Sequence, residues 1–346
     1  FLGGQGSAAP RNRPAELFAE GRIHLSTDAI HTVKPLEVDI PKGRLTVVTG
    51  VSGSGKTTLI LESLVPALAA QTAGKPLPPH VRAVEADGIA QVKLIDATPI
   101  GINVRSTVAT YANVHDELRK VFARTPDAKR LGYKAGDFSY NTGKLRCPVC
   151  DGTGVISLDV QFLPDVEIPC TGCMLPLQPR RRRRAAREQA RRDLHAAAAH
   201  GHGHQHGADL CTDLKLVTQR LKVLQDLGLG YLTLGEETPS LSGGEAQRLK
   251  LASEMGRAQH DTVFVFDEPT IGLHPLDVRT LLGVFRTLIE NGATVIVIEH
   301  DLDVIRSADY LIDMGPGGGE EGGRVVACGT PAEVKQNPES RTGKFI

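Results

Sequence analysis

The sequence predicts an α/β fold in which a mostly parallel sheet is flanked by helices. Apolar runs of strand length occur at residues 44–50, 262–267, 294–299 and 310–315, and helix-length segments separate the later three. Strands that alternate with helices in this way favour parallel pairing. The apolar fraction of 40% is sufficient for hydrophobic cores. We therefore expect the strand at 44–50 to lie beside the later strands, with residues 100–260 as one long insertion between them in the chain.

The spacing of apolar residues and the positions of Gly and Pro define the individual elements. Residues 21–43 alternate and turn, and are predicted to form short strands that end at Pro41-Lys42-Gly43. The segment 75–93 is interrupted by prolines and allows no assignment. The remaining predicted strands are 44–50, 91–97, 262–267, 294–299 and 310–315, and the predicted helices are 55–70, 115–124, 213–226, 276–290, 301–307 and one that begins near residue 243.

The stretch GVSGSGKTT at residues 50–58 matches the pattern G-x-x-x-x-G-K-[ST]. It follows an apolar strand and begins a helix, a setting in which backbone N–H groups and the helix N-terminus bind phosphate oxygens. Lys56 is then expected to reach the β- and γ-phosphates of ATP, and Thr57 to hold Mg²⁺. The alternative is a glycine-rich turn that binds nothing. The predicted ATP ligands in this loop are Gly50, Ser52, Gly53, Gly55, Lys56, Thr57 and Thr58.

Two later strands end in polar side chains that suit the same chemistry. In VFVFDEPT, four apolar residues deliver Asp267 to the end of a strand, where its carboxylate can bind Mg²⁺ and ATP. Glu268 follows directly and is placed to polarise the attacking water. In VIVIEHD, His300 ends another strand; alone it would be structural, and beside the other groups it is a γ-phosphate sensor. Glu268 and His300 are therefore the predicted catalytic residues.

The stretch LSGGEAQRLKLA at residues 241–252 begins a further helix with Ser-Gly-Gly. Together with the phosphate loop and the two strand ends, it resembles the signature of the ATP-binding-cassette ATPases. The resemblance implies a nucleotide-binding domain of that fold with an inserted helical signature region. In that family the signature of one nucleotide domain closes over the phosphate loop of another, so ATP joins two domains. The residues expected to act in this way, in trans, are Ser242, Gly243, Gly244 and Glu245.

Four cysteines lie between the phosphate loop and the signature, in CPVCDGTG and CTGC. Two such pairs converge on a tetrahedral Zn²⁺ with no open position, so the predicted four-cysteine zinc module is structural. The alternative is four thiols without metal or in disulfides. The predicted zinc ligands are Cys147, Cys150, Cys170 and Cys173. Cys211 and Cys328 have no such partners in the sequence and are predicted to be small buried residues.

A cassette ATPase with a four-cysteine module at this place resembles the C-terminal half of the UvrA family of bacterial nucleotide excision repair. The resemblance is carried, in order, by TGVSGSGKTTL, ATPIGINVRSTVATY, GYKAGDFSYNTGKLRCPVC, FLPDVEIPC, LGLGYLTLG, LSGGEAQRLKLA, DEPTIGLHP, VIEHDLDVI and GPGGGEEGG. It implies an ATP hydrolase that recognises DNA damage through ATP-driven domain association and hands the DNA on without cutting it. The implied partners are damaged double-stranded DNA, a second UvrA-type cassette or copy, and the UvrB helicase subunit.

The chain departs from the family pattern at three points. Ala97 stands where the family has a glutamine that helps to place Mg²⁺ and the attacking water, so ATP binding should survive while the rate of hydrolysis stays open. The chain has one cassette where UvrA has two, so its signature needs a separate half or a second copy as partner. It begins at Phe1 without an initiating Met, which agrees with a fragment or a processed piece and leaves a full protein as the alternative. After Cys173, the family continues with His-Gly and then Arg with an aromatic residue, which this chain lacks.

These motifs predict the domain organisation. The predicted parts are a linker at 1–20, the first part of the ATP-binding core at 21–100, an inserted signature and zinc region at 101–240, and the signature helix with the second part of the core at 241–346. The zinc module is expected at about 140–175, and an anomalous low-complexity segment at 174–210.

Within the anomalous segment, residues 180–207 contain eight arginines, two carboxylates and a run of alternating histidines. This composition is typical of a DNA-binding arm, a metal-binding histidine tract or a solvated insert. Residues 178–208 contain no Ser, Thr, Val, Ile, Phe or Tyr, and are rich in residues that GC-rich codons give out of frame. We favour a compensated pair of frameshifts between about residues 174 and 210, which translation of the other two frames would test.

Basic residues near the cysteines are the predicted DNA contacts. Contacts to phosphates give salt-dependent, sequence-independent affinity, and a solvated surface is the equal alternative. The predicted contacts are Arg105, Lys134, Lys144 and Arg146.

Two other functions agree with parts of the sequence. The nucleotide domain of a membrane transporter would lack the zinc insert, and a zinc- and nucleotide-binding module without turnover would follow from Ala97 and the single cassette. A role in drug self-resistance, as in some UvrA paralogues, also stays open. No apolar run reaches the roughly 18–20 residues of a membrane span. Six cysteines in a chain of this length favour a reducing compartment, so we expect a cytoplasmic protein without a membrane partner.

Overall fold

The computed structural model describes residues 17–100, 106–158, 166–174, 214–255 and 259–346. These residues divide into two compact units. The first unit combines the described residues up to Ala97 with those from Gln259 onward, and the second contains those from Thr98 to Met255. The first unit is therefore built from two chain segments that the second unit interrupts.

The described elements have the following bounds in chain order. The strands are β1 (Arg22–Thr27), β2 (Leu36–Pro41), β3 (Leu45–Gly50), β4 (Val81–Glu85), β5 (Gln91–Ile95), β6 (Val155–Leu158), β7 (Val166–Pro169), β8 (Thr262–Asp267), β9 (Thr294–Ile298), β10 (Tyr310–Gly315) and β11 (Arg324–Gly329). The α-helices are α1 (Val65–Thr72), α2 (Val108–Tyr111), α3 (Val114–Arg124), α4 (Pro126–Arg130), α5 (Thr171–Met174), α6 (Lys215–Asp226), α7 (Gly243–Glu254), α8 (Pro275–Glu290), α9 (Leu302–Arg306) and α10 (Pro331–Gln336). A π-helix, Thr58–Leu64, leads directly into α1.

The first unit contains a six-stranded sheet in the order β11-β10-β3-β9-β8-β5. The strands from β10 to β5 in that order pair in parallel, and β11 adds an antiparallel edge. Every residue of β3, β9 and β10 is buried, as expected for parallel strands that are covered on both faces. The prediction of a mostly parallel α/β sheet, with residues 44–50 beside the later strands, is therefore confirmed, and β3 lies between β10 and β9.

Apolar side chains cover both faces of this sheet. On one face, Val48 and Ile296 share a fully buried cluster with Leu59 of the π-helix. Residues of one strand point alternately to opposite faces, so Phe266 lies on the other side, where its ring centroid is 4.7 Å from that of Phe285 in α8. Packing on both faces fixes the carboxyl ends of β3 and β8, at which the predicted site residues stand.

A second sheet in the first unit is antiparallel and has the order β2-β1-β4. β1 and β2 are the short strands predicted at residues 21–43, whereas β4 lies in the segment for which the sequence allowed no assignment. Val81 and Val84 of β4 belong to the same core cluster as Ile23 and Leu25 of β1. The prolines that obscured β4 stand just before it, at residues 76–79.

The second unit is mainly helical and contains the antiparallel hairpin β6–β7. Helix α7, which carries the predicted signature, contacts α2 and α6 within this unit. From its sequence, α7 was predicted to belong to the second part of the core, but it lies in the second unit because its contacts are made with those helices. Among the described residues, no helix combines the length and the apolar character that crossing a membrane requires.

Some sequence predictions concern residues outside the described ranges. They are residues 1–16 of the linker, Arg105, Cys211 and residues 175–210 of the low-complexity segment.

Gly283 lies inside α8 on an exposed face, where a Cβ atom would have no heavy atom within 4 Å. Because Ala has a higher helix propensity than Gly, Gly283→Ala is expected to raise the free energy of unfolding by about 0.5–1 kcal/mol. Gly272 is the control: the space around it is also open, but its φ of +74° favours glycine, so Gly272→Ala should lower stability. Chemical denaturation measures both variants, and an unchanged value for Gly283→Ala would contradict the prediction.

Candidate functional site

The parallel strands of the first unit end together at one edge of the sheet. Val48 of β3 and Asp267 of β8 both lie opposite Ile298 of β9. The phosphate loop begins two residues after Val48, and His300 stands two residues after Ile298. The structure therefore brings the predicted phosphate loop, Mg²⁺ ligand and histidine to one place. In open α/β sheets, ligands bind outside this carboxyl edge.

Glycine is required at both ends of the phosphate loop. Gly50 has a φ of +134°, and a Cβ atom there would lie 2.0 Å from the carbonyl oxygen of Met314. Gly55 has a φ of +98°, and a Cβ atom there would lie 2.6 Å from Val33. L side chains rarely adopt either conformation. Of the other predicted ligands, Ser52, Gly53 and Thr57 are exposed and Thr58 is half-buried.

A second glycine-rich stretch, GPGGGEEGG, packs against the phosphate loop through the backbone. The N–H groups of Gly319 and Gly323 donate to the carbonyl oxygens of Gly53 at 3.1 Å and Ser54 at 3.0 Å. A Cβ atom on Gly318 would collide with the same loop. The glycines of this stretch therefore let two backbones approach closely, a role that its sequence alone did not indicate.

Lys56 lies folded against the phosphate loop. Its Nζ donates to the carbonyl oxygens of Gly50 and Val51, both at 3.0 Å. Burial lowers the pKa of this ammonium group, and nearby carboxylates, foremost Glu268, oppose that shift. A positive charge held against the loop is what a bound polyphosphate requires.

The Asp267 carboxylate stands in an acidic environment at the end of β8. Burial raises its pKa most, the neighbouring carboxylates of Glu268, Asp96 and Glu299 raise it further, and Lys56 opposes the shift. A divalent cation offsets such repulsion, and Mg²⁺ prefers carboxylate and hydroxyl oxygens. The residues present therefore fit Mg²⁺, with Asp267 and a hydroxyl group of the phosphate loop as its protein ligands.

The two predicted catalytic side chains are in contact. His300 Nε2 lies 3.1 Å from Glu268 Oε1. Glu268 has a φ of +45°, a left-handed conformation that costs a residue other than glycine about 1–3 kcal/mol. Such strain persists only where the surroundings over-determine it, and it is common at functional sites. The arrangement suits a carboxylate base that a histidine orients.

Sequence reasoning missed two carboxylates of this site, Asp96 and Glu299. Asp96 directly follows β5, and Glu299 directly follows β9. Both therefore occupy the kind of position that identified Asp267, and a search for carboxylates at the carboxyl ends of buried strands would have found them. Ala97 is exposed next to Asp96.

Asp267→Asn is expected to raise the thermal stability of the nucleotide-free and cation-free chain at neutral pH. The folded state raises the pKa of Asp267 above its ordinary value of 3.8. Ionisation of this carboxyl therefore lowers the free energy of unfolding, and the full loss is present at about pH 7. The loss vanishes as pH falls below that ordinary value, because the carboxyl is then protonated in both states.

Thermal unfolding at several pH values measures this difference. The exposed aspartate that precedes β8 provides the control, Asp261→Asn, which makes the same chemical change at the opposite end of the strand. A stabilisation by Asp267→Asn that is the same at about pH 4 and about pH 7 would contradict an electrostatic cause.

In the second unit, the predicted signature residues form the N-terminus of α7. Ser242 is the N-cap: its Oγ accepts from the Glu245 N–H at 3.4 Å, and Glu245 Oε2 accepts from the Ser242 N–H at 2.7 Å. Tyr231 donates its hydroxyl to Glu245, and burial together with this carboxylate raises the pKa of Tyr231 to about 12. Gly243 and Gly244 belong to the first turn, whose N–H groups lack intrahelical acceptors and favour an anion.

Three of the predicted zinc ligands come together in the second unit. The buried Sγ atoms of Cys147, Cys150 and Cys170 lie within 4.8 Å of one another. Those of Cys147 and Cys170 are 4.0 Å apart, well beyond the ~2.05 Å of a disulfide. Cys150 Sγ also accepts the Gly154 N–H at 3.2 Å. The three sulfurs therefore fit a tetrahedral metal ion.

The remaining cysteines differ in position. Cys173 lies in α5, and its side chain is outside the described part of the structure. Cys328 is exposed, so the prediction that it is buried is wrong. It lies on β11, the edge strand of the sheet, most of whose residues are exposed or half-buried.

Two of the predicted DNA contacts lie beside the cysteine cluster. Lys144 and Arg146 line one surface groove. Both side chains form ion pairs: Lys144, which is 86% exposed, lies 3.9 Å from Asp137 Oδ1, and Arg146 lies 3.1 Å from Asp151 Oδ1. Lys134 is also exposed. Of this set, Arg105 has no described position.

Comparison with known proteins identifies relatives over nearly the whole chain. No protein-family model matches it. The chain is 45% identical to the UvrABC system protein A of Micrococcus luteus over 319 residues, which are 91% of this chain and 32% of that protein. It is 44% identical to the UvrABC system protein A of Aquifex aeolicus over 343 residues, which are 97% of this chain and 36% of that protein. The crystal structure of UvrA2 from Deinococcus radiodurans matches with a TM-score of 0.76 and 37% identity, over 99% of this chain and 40% of that one.

The resemblance that the motifs indicated is therefore confirmed over most of the chain. The chain spans about a third of the length of the curated relatives it matches. It is a homologue of UvrABC system protein A over that third of the protein.

Proposed function

We propose that this chain binds ATP with Mg²⁺ and hydrolyses it as part of nucleotide excision repair. The observation that carries the proposal is the meeting of the phosphate loop, Asp267 and the Glu268–His300 pair at one edge of the sheet. The relatives named UvrABC system protein A support the repair role. They favour it over the nucleotide domain of a transporter.

The side chains divide the work of hydrolysis. Lys56 transfers its hydrogen bonds from the loop carbonyls to phosphate oxygens. Asp267 and Thr57 would hold Mg²⁺, which would neutralise phosphate charge. Glu268 accepts a hydrogen bond and then the proton of the attacking water, and His300 keeps that carboxylate in place. Ala97 offers no polar atom to this site, so we expect ATP binding to persist and turnover to be slow.

The signature residues are proposed to complete the phosphate site of a second cassette. Ser242 and the N–H groups of Gly243 and Gly244 supply donors for the phosphates bound by the other domain. A second copy of this chain, or another UvrA-type cassette, is the proposed partner. ATP would then associate the two domains, hydrolysis would release them, and a UvrB-like helicase subunit would receive the DNA.

The cysteine cluster and its basic neighbours are proposed to serve DNA binding. Cys147, Cys150 and Cys170, with Cys173 as the fourth ligand, would hold a structural Zn²⁺ that fixes the local backbone. Damaged duplex DNA would then contact the basic side chains through its phosphates. The proposed contacts are Arg105, Lys134, Lys144 and Arg146.

Steady-state hydrolysis of ATP, with and without damaged duplex DNA, tests the proposal. We expect turnover that responds to DNA, and an affinity for DNA that falls steeply as salt rises. Because the chain has one cassette, the assay is repeated with the remaining segment of a UvrABC system protein A relative. ATP binding without turnover in both assays would favour a zinc- and nucleotide-binding module without activity of its own.

A further inference from the structure

Glu299 is a buried carboxylate that ties together the loops after β8 and β9. Its side chain belongs to a residue that is only 2% exposed. Oε1 accepts the Thr270 N–H at 2.9 Å and the Thr270 hydroxyl at 2.5 Å. Oε2 accepts the N–H groups of His300 at 2.7 Å and Asp301 at 3.0 Å. Four donors therefore converge on one carboxylate.

The two tied loops carry the pair that the proposed reaction needs. Thr270 stands two residues after Glu268, whose backbone is left-handed. His300 is bound to Glu299 directly, because its own N–H donates to the Glu299 carboxylate. Glu299 also donates its N–H to the Val48 carbonyl at 3.1 Å, so it is fixed to the strand that leads into the phosphate loop. Its bonds supply the surroundings that a strained Glu268 backbone requires.

The chemistry of the four donors requires an ionised acceptor. Three of them are backbone N–H groups, which can only donate. In glutamine, one of the two side-chain positions becomes an NH₂ group, which is a donor. In either orientation, the NH₂ group of the amide would face at least one backbone N–H of Thr270, His300 or Asp301, so that two donors would meet without an acceptor. A change of one atom, with the shape preserved, therefore breaks the arrangement.

We propose that Glu299 is a positioning residue for ATP hydrolysis, which holds Glu268 and His300 at the distance that activates the attacking water. The inference rests on the proposed hydrolase function. Glu299 acts through the backbone of both loops, whose N–H groups it accepts.

Glu299→Gln in the full chain tests the inference. We expect kcat for ATP to fall by at least about 10-fold, because misplacing a catalytic group is costly, while KM and the equilibrium affinity for ATP with Mg²⁺ change by less than about threefold. Glu290→Gln is the matched control, since it makes the same chemical change at an exposed position at the end of α8. Thr270→Ser, which keeps both donors, should turn over faster than Thr270→Val, which lacks the hydroxyl.

Three results would overturn the inference. A kcat for Glu299→Gln within about twofold of the parent, while Glu268→Gln is inactive, removes the role of Glu299 and leaves the proposed function standing. Parallel loss of ATP affinity and melting temperature in Glu299→Gln, with Thr270→Val equal to Thr270→Ser, shows a structural role only. Full activity of Glu268→Gln removes the proposed mechanism and this inference together.

Discussion

Glu268→Gln is expected to reduce the turnover number for ATP by about 100- to 1,000-fold, within the range that general bases contribute. Glutamine keeps the size of the side chain and an oxygen that can face His300, but it cannot accept the proton of the attacking water. ATP should still bind, because Lys56 and the glycines of the phosphate loop are unchanged. Loss of a negative charge near Lys56 should leave the affinity for ATP equal to or higher than that of the parent.

Two measurements separate chemistry from binding in this variant. Steady-state hydrolysis gives the turnover number, and equilibrium titration with ATP and Mg²⁺ gives the affinity. Glu290→Gln is again the control, because Glu290 is exposed at the end of α8 and its variant should hydrolyse ATP at the parent's rate. Parent-like turnover of Glu268→Gln would assign the base to another group and contradict the mechanism.

Cys170→Ser is expected to abolish zinc binding and to unfold the region around the β6–β7 hairpin. The residue is fully buried, and its sulfur lies 4.0 Å from that of Cys147. Serine lacks the thiolate that zinc prefers in such sites. Structural zinc contributes about 10–16 kcal/mol to the folding of zinc-finger peptides at about pH 7. A loss of this size should exceed the free energy of unfolding of the hairpin without metal.

Metal analysis of purified chains and limited proteolysis measure these effects. The parent should hold one zinc ion per chain and resist cleavage between residues 140 and 158, and Cys170→Ser should hold none and be cut there. Cys328→Ser is the matched control, because Cys328 is exposed on β11 and outside the cluster. A parent without zinc, or unchanged zinc in Cys170→Ser, would refute the metal assignment.

The sheet was predictable where burial on both faces leaves a continuous apolar run. β3, β8, β9 and β10 are such strands, and their bounds agree closely with the predicted 44–50, 262–267, 294–299 and 310–315. β4 and β11 were missed for physical reasons. β4 follows a group of prolines, and β11 is an edge strand between glycines whose residues are partly exposed. Neither gives the unbroken apolar signal of a central strand.

The site was predictable where a local motif carries the chemistry. The phosphate loop, Asp267, Glu268 and His300 each follow an apolar strand, so their positions could be assigned without knowledge of the fold. Glu299 also follows a buried strand and could have been found in this way, but its hydrogen bonds to Thr270, a residue distant in sequence, have no sequence signal. The left-handed backbone of Glu268 also has no sequence signal, since glutamate rarely adopts it.

The interrupted first unit has a consequence for the order in which the nascent chain folds. β3 is synthesised before the whole second unit, and its sheet neighbours β9 and β10 begin only at Thr294 and Tyr310. Translation at about 5–20 residues per second makes that delay on the order of 10–50 s. Pairings between such distant segments also form slowly. The second unit is therefore complete on the ribosome before the neighbours of β3 are synthesised. During this interval β3, a strand that is buried on both faces in the native sheet, is unpaired and exposed, so we expect chaperones to bind it.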